Sequence, residues 1–122
     1  MKLEVGMYVR LQNDVENIVI INKIANVFET TILTENDGSI YQGEYTKENV
    51  IKASYNIIDI LEVEDIISFY EDIDNYKKQY VIGIPDLITL DKIKDKITND
   101  NIRLVSILTK EQMEQRAYKV EE

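Results

Sequence analysis

The sequence predicts a mostly β protein of the β-rich α+β class, and three observations predict it. Short runs of β-branched and aromatic residues recur along the chain, separated by residues that favour turns. An Asp37-Gly38 pair lies between two such runs, a strong hairpin signal because both residues tolerate positive φ. Helical spacing appears only late, at Leu90, Ile93 and Ile97, and again at Thr109 with Gln112.

The elements follow in order. Met7-Tyr8-Val9-Arg10-Leu11 reads as a strand that Asn13-Asp14 ends. Ile18-Val19-Ile20-Ile21 is a second strand, followed by a break at Ala25-Asn26 and a third β run from Val27 to Leu33. Asn36-Asp37-Gly38-Ser39 turns that run into Ile40 to Tyr45, whose alternation sets Ile40, Gln42 and Glu44 against an aromatic face of Tyr41, Gly43 and Tyr45. Thr46 to Asn49 starts one helical turn, and Ile57 to Leu61 is a buried strand or a short helix, which periodicity does not separate. Short strands joined by tight turns in this half suggest a small SH3-like barrel.

A second β-rich half begins with Val63 to Phe69. Gln79 to Ile84 is another strand, halted by Pro85, which has no amide hydrogen for a ladder. Leu90, Ile93 and Ile97, with Lys92, Lys94 and Lys96 between them, describe a short amphipathic helix. Ile102 to Leu108 is a strand, and the capping-box spacing of Thr109 and Gln112 starts a final helix over Lys110 to about Arg116, ahead of Tyr118-Lys119-Val120. No Gly/Ser- or Pro-rich linker intervenes. The expected organisation is an N-terminal SH3-like half over residues 1–62 and a C-terminal β-rich half with short helices over 63–122. Both are expected to be small and barrel-like, and to pack together. The similar openings Val5-Gly6-Met7-Tyr8-Val9 and Val63-Glu64-Asp65-Ile66-Ile67 hint at a degenerate repeat.

Composition narrows the chemistry. A chain of 122 residues makes one compact domain or two very small modules. It contains no cysteine and no histidine, which removes disulfides, thiol nucleophiles, the commonest general base and the commonest transition-metal ligand. Enzymatic activity, a cofactor and a metal are therefore not expected. The net charge of -9 opposes the counterion release that drives nucleic-acid affinity, so direct nucleic-acid binding is disfavoured. The longest apolar run is too short for a membrane span, and Glu4 interrupts the stretch a signal peptide needs, so a cytoplasmic location is expected.

Three constellations are candidate sites. The densest acidic region comprises Asp59, Glu62, Glu64, Asp65, Glu71, Asp72 and Asp74, interleaved with Ile66, Ile67, Phe69 and Tyr70. Carboxylates on one folded face can imitate nucleic-acid phosphates and occupy a partner's basic channel, while the plainer reading is a solvated edge. Tyr41, Tyr45 and Tyr55 could line an aromatic pocket for a peptide or a cation, or simply finish a small core. Leu33 to Glu44 partly matches a calcium loop with Gly38 at its sixth position, but Leu33 stands where an aspartate belongs and the flanks read as strands. A plain hairpin is the better reading there.

Two stretches, Lys52-Ala53-Ser54-Tyr55-Asn56-Ile57-Ile58-Asp59-Ile60-Leu61-Glu62-Val63 and Ile107-Leu108-Thr109-Lys110-Glu111-Gln112-Met113-Glu114 leading to Tyr118-Lys119-Val120, carry a resemblance together with Gly6-Met7-Tyr8-Val9-Arg10. They resemble a group of small proteins of phages and prophages in clostridia and related low-GC Gram-positive bacteria. In that group a Val-Gly-Asp-Tyr-Val-Asn-Gly stretch follows the central motif. Glu64 stands here at the glycine position, which argues against a glycine-dependent turn. The resemblance implies a mobile-element origin and carries over no functional residue.

Origin, acidity, small size and missing catalytic residue types lead to one expectation. The chain is a non-enzymatic, phage-encoded inhibitor that binds a bacterial host protein in the cytoplasm, with a defence nuclease complex, in the manner of anti-CRISPR proteins, as the leading target. A nucleic-acid-associated accessory module or a phage structural component is the alternative.

Overall fold

A computed structural model describes residues 2–36, 42–73, 76–99 and 102–116. The chain divides into two compact units, Met1–Ile60 and Leu61–Glu122, and is mostly β, with two antiparallel sheets and two short α-helices.

The first unit is a five-stranded sheet of β1 (Tyr8–Asn13), β2 (Ile18–Val27), β3 (Thr31–Glu35), β4 (Gly43–Thr46) and β5 (Val50–Ser54). Its order is β4-β3-β2-β1-β5, so the last strand returns beside the first after a single 3-10 turn at Lys47–Asn49. This connectivity agrees with the SH3-like expectation. Val9, Leu11, Ile18, Ile20, Ile24 and Ile32 form the buried core, and Leu3, Met7, Val27, Tyr45, Val50 and Ala53 pack around it. Each such aliphatic side chain contributes roughly 1.5–3 kcal/mol through burial. Arg10, between two core residues on β1, is also buried, and its Nη1 donates to the Ile60 carbonyl at 3.1 Å.

The expected break at Ala25-Asn26 is instead a β-bulge. Pairing with β3 skips Ala25, and β2 continues to Val27. The reversal comes at residues 28–30, inside what reads from sequence as one run. Ile57 to Ile60 resolves as a 3-10 helix. The tip of the Asp37-Gly38 hairpin lies outside the described residues, but β3 and β4, which flank it, pair antiparallel from Thr31↔Thr46 to Thr34↔Gly43. A polar cluster sits beside the core: Asn22 Nδ2 donates to Thr34 Oγ1 at 2.9 Å, Thr34 Oγ1 to the Gly43 carbonyl at 3.1 Å, and Asn36 Nδ2 to the Ile21 carbonyl at 2.9 Å. Asn22 and Thr34 are buried, so these bonds replace the water lost on folding.

Among the described residues the second unit forms an open sheet and not the expected barrel. It is a three-stranded sheet of order β7-β6-β8, built from β6 (Ile66–Ile73), β7 (Tyr76–Gly83) and β8 (Ile102–Leu108), with α1 (Leu87–Thr98) between β7 and β8 and α2 (Lys110–Arg116) after β8. Three strands are too few to close on themselves, and both helices pack against β8. One face of the sheet carries Ile67 and Phe69 of β6 with their partners Ile82 and Tyr80 on β7 and Ile107 and Leu104 on β8. Phe69 and Tyr80 stack with ring centroids 5.2 Å apart. Leu90 and Ile93 are the buried residues of α1, which packs against β8. Asp86 caps α1 by accepting from the Thr89 amide at 2.8 Å. The predicted capping box forms in both directions: the Thr109 amide donates to Gln112 Oε1 at 3.0 Å, and the Gln112 amide to Thr109 Oγ1 at 3.3 Å. Tyr118-Lys119-Val120 lies outside the described residues.

Both units open with the same turn. The Met7 amide donates to the Glu4 carbonyl at 3.2 Å, the Gly6 amide to Ile24 at 2.9 Å, and Ile24 donates back to Met7 at 2.8 Å. In the second unit the Asp65 amide donates to Glu62 at 3.2 Å, Glu64 to Ile84 at 2.7 Å, and Ile84 back to Asp65 at 2.9 Å. The third residue has positive φ in each case, 93° at Gly6 and 79° at Glu64. From sequence the glutamate puts this turn in doubt, yet the turn is present: the flanking backbone bonds hold Glu64 in the conformation glycine would adopt more cheaply.

Candidate functional site

The acidic residues differ in what their carboxylates do, and one of them, Asp65, is withdrawn from the surface. Asp59, on the first unit, accepts from Ser54 Oγ at 2.7 Å; Ser54 Oγ also accepts from the Asn56 amide, so Asp59 belongs to the hydrogen bonding at the start of the 3-10 helix. In the second unit Asp65 is fully buried and its Oδ2 accepts from the Glu62 amide at 2.8 Å. It fastens the turn before β6 and is not presented to a partner, which corrects its place in the acidic set. Glu62 is half-buried, and exposed Glu64 pairs with Lys110 at 3.4 Å. Glu71 and Asp72 lie near the far end of β6, about 20 Å along the strand from Asp65 at 3.3 Å per residue. The ladder sets them opposite Lys78 and Lys77. Asp74 lies outside the described residues. Charges that are dense in sequence are spread along a strand by its rise, and the one that satisfies a turn is buried.

Tyr45 lies on one edge strand of the first sheet and Tyr55 follows the other. Tyr45, on edge strand β4, packs against the first unit's core, and its hydroxyl accepts from Asn13 Nδ2 at 3.4 Å. Tyr55 follows β5, at the opposite edge of the sheet, and is 56% exposed. Its phenol is pushed above its ordinary pKa, first by desolvation and then by the Glu4 carboxylate, to which it hydrogen-bonds. Tyr41 lies outside the described residues. A groove of about 470 Å³ in the first unit is lined by Lys2, Leu3, Lys47, Glu48 and Val50, with neither Tyr45 nor Tyr55 among them. In the partial calcium-loop frame, Leu33 and Glu44 are direct cross-strand partners, and Glu44 Oε1 accepts from Thr31 Oγ1 at 2.6 Å, as the hairpin reading requires. Among the described residues no group of three Asp or Glu is placed to hold a metal ion, and no helix is long and apolar enough to cross a membrane.

Exposed apolar side chains form features the sequence reading did not single out. Val15 is 92% exposed at the tip of the β1–β2 hairpin, between Asp14 and Glu16, where Asn13 Oδ1 accepts from the Val15 and Glu16 amides. Leu87 and Ile88, adjacent in the first turn of α1, are 68% and 70% exposed. Their signal was present: Leu87 and Ile88 precede the i, i+3, i+7 apolar stripe that begins at Leu90 and are not needed to complete it. Compared with known proteins, the chain matches no family model, no curated protein and no solved structure.

Proposed function

We propose that the chain is a non-enzymatic, phage-encoded inhibitor that acts in the cytoplasm of a bacterial host by binding a protein of a defence complex, as anti-CRISPR proteins do. The observation that carries the binding role is the Leu87–Ile88 pair. Two adjacent large apolar side chains, each more than two-thirds exposed, sit on a helix whose first turn is capped by Asp86. Burying both against a partner contributes roughly 3–6 kcal/mol before the costs of association are subtracted. The net charge of -9 favours encounter with a basic partner surface, such as a nuclease's nucleic-acid channel. The mobile-element resemblance supports the choice of a host target.

The test is affinity capture from a lysate of a low-GC Gram-positive host with intact defence systems, using the wild type and a Leu87→Glu/Ile88→Glu variant. Acidic residues in the first turn favour a helix through its dipole, so the variant keeps its fold. Stoichiometric recovery of a defence nuclease by the wild type alone is expected. Recovery of nothing, or only of phage structural proteins, sinks the inhibitor reading.

A further inference from the structure

The three-stranded sheet has a second face, turned away from Ile67 and Phe69, and it carries a row that neither the acidic nor the tyrosine reading used. Tyr70 on the central strand β6 lies directly opposite Gln79 of β7 and Arg103 of β8. Cross-strand partners project to the same side of a sheet, so these three side chains line up across all three strands. Gln79 Nε2 donates to Ser68 Oγ at 3.1 Å, and Ser68 is two residues from Tyr70, which ties the amide to this same face. Gln79, Val81, Arg103 and Ser106 are exposed, and Tyr70 is half-buried. The neighbouring row sets Asp72 opposite Lys77.

An aromatic ring with an amide on one side and a guanidinium on the other, each one strand spacing of about 4.8 Å away, suits a planar heteroaromatic ligand. The ring supplies a stacking surface, the amide both donates and accepts at the ligand's edge, and the guanidinium donates to an edge or to an adjoining phosphate. We propose that this face binds a base of a single-stranded nucleic acid, with Tyr70 stacking and Gln79 and Arg103 contacting the base edge or its phosphate. Duplex is excluded from the site because its base faces are already stacked. With a net charge of -9 and one cation in the row, affinity comes from stacking more than from phosphate neutralisation. Leu87 and Ile88 take no part, so this site is independent of the protein-binding reading.

The test is fluorescence anisotropy of short labelled single strands of each base, with a duplex control, at low ionic strength. Single strands should bind and the duplex should not. Tyr70→Ala should weaken binding at least about fivefold, whereas Tyr70→Phe keeps it. Arg103→Ala, at an exposed position that does not threaten folding, should also weaken binding. If one phosphate is met, the log–log salt slope is about -0.7. Absence of single-strand binding, equal binding of duplex, or full binding by a folded Arg103→Ala protein overturns the proposal.

Discussion

Glu64 occupies the position in the second unit's opening turn that Gly6 occupies in the first, with φ at 79° and 93° respectively. A side chain in the left-handed region costs about 1–2 kcal/mol, and a glycine in its place returns about 0.4–1 kcal/mol of that to the greater freedom of the unfolded chain. Glu64 also pairs with Lys110 at 3.4 Å, with both side chains more than half exposed, a contact worth between 0 and about 1 kcal/mol. Comparing Glu64→Ala with Glu64→Gly removes the ion pair from both and leaves the backbone difference alone. The glycine variant should be the more stable by about 0.5–1 kcal/mol. The reverse holds at Gly6, where an added Cβ meets nothing nearer than Tyr55 Cε1 at 3.7 Å, an ordinary contact. Gly6→Ala should therefore cost only its backbone strain, about 1 kcal/mol net. Urea titration of the three variants, read at unchanged m-value, measures each difference. A Glu64→Gly protein no more stable than Glu64→Ala refutes the reasoning, because the turn would then carry no left-handed penalty for a glycine to relieve.

Three further outcomes follow from named contacts. Thr109→Ala and Gln112→Ala should each destabilise the second unit by about 1 kcal/mol, and the double variant should cost less than their sum, since each loss already breaks the shared box; strict additivity in a denaturation cycle would contradict this. Thr34→Val preserves shape but removes the hydroxyl that accepts from buried Asn22 Nδ2 and donates to the Gly43 carbonyl, so it should cost about 1–3 kcal/mol by the same assay, and a neutral result would contradict a contribution from these bonds. The Thr89 amide holds the Asp86 carboxyl below its ordinary range, with smaller help from Lys92. Its stabilising contribution is therefore complete above the unfolded carboxyl's value near ~3.9 and is lost as pH falls through the lower folded value. Amide exchange in α1 should accelerate across that acidic window in the wild type and lose the dependence in Asp86→Asn, whose side chain still caps.

Much of the fold was legible because its signals are local. Tyr8 to Leu11, Ile102 to Leu108 and the capping box at Thr109 depend on neighbouring residues, and each appears where the sequence places it. The bulge at Ala25 was not legible, because it exists only relative to β3. The second unit's departure from a barrel followed from the number of strands available once α1 takes up its stretch of chain, which similar openings do not report. Glu64 kept its turn because backbone bonds to Ile84 outweigh a local penalty. The place of Asp65 was illegible for the same kind of reason: it was counted by charge, whereas its carboxylate accepts from the Glu62 amide. The Tyr70 row depends on the register of both β7 and β8, including the bulge that skips Val105, and no spacing in the sequence encodes it.

The measurement that bears most directly on the central claim is inhibition of the captured defence nuclease by purified chain, wild type against Leu87→Glu/Ile88→Glu. Stoichiometric inhibition by the wild type, lost in the folded variant, is the predicted result. Undiminished inhibition by the variant, or no inhibition by the wild type at any ratio, would contradict the account.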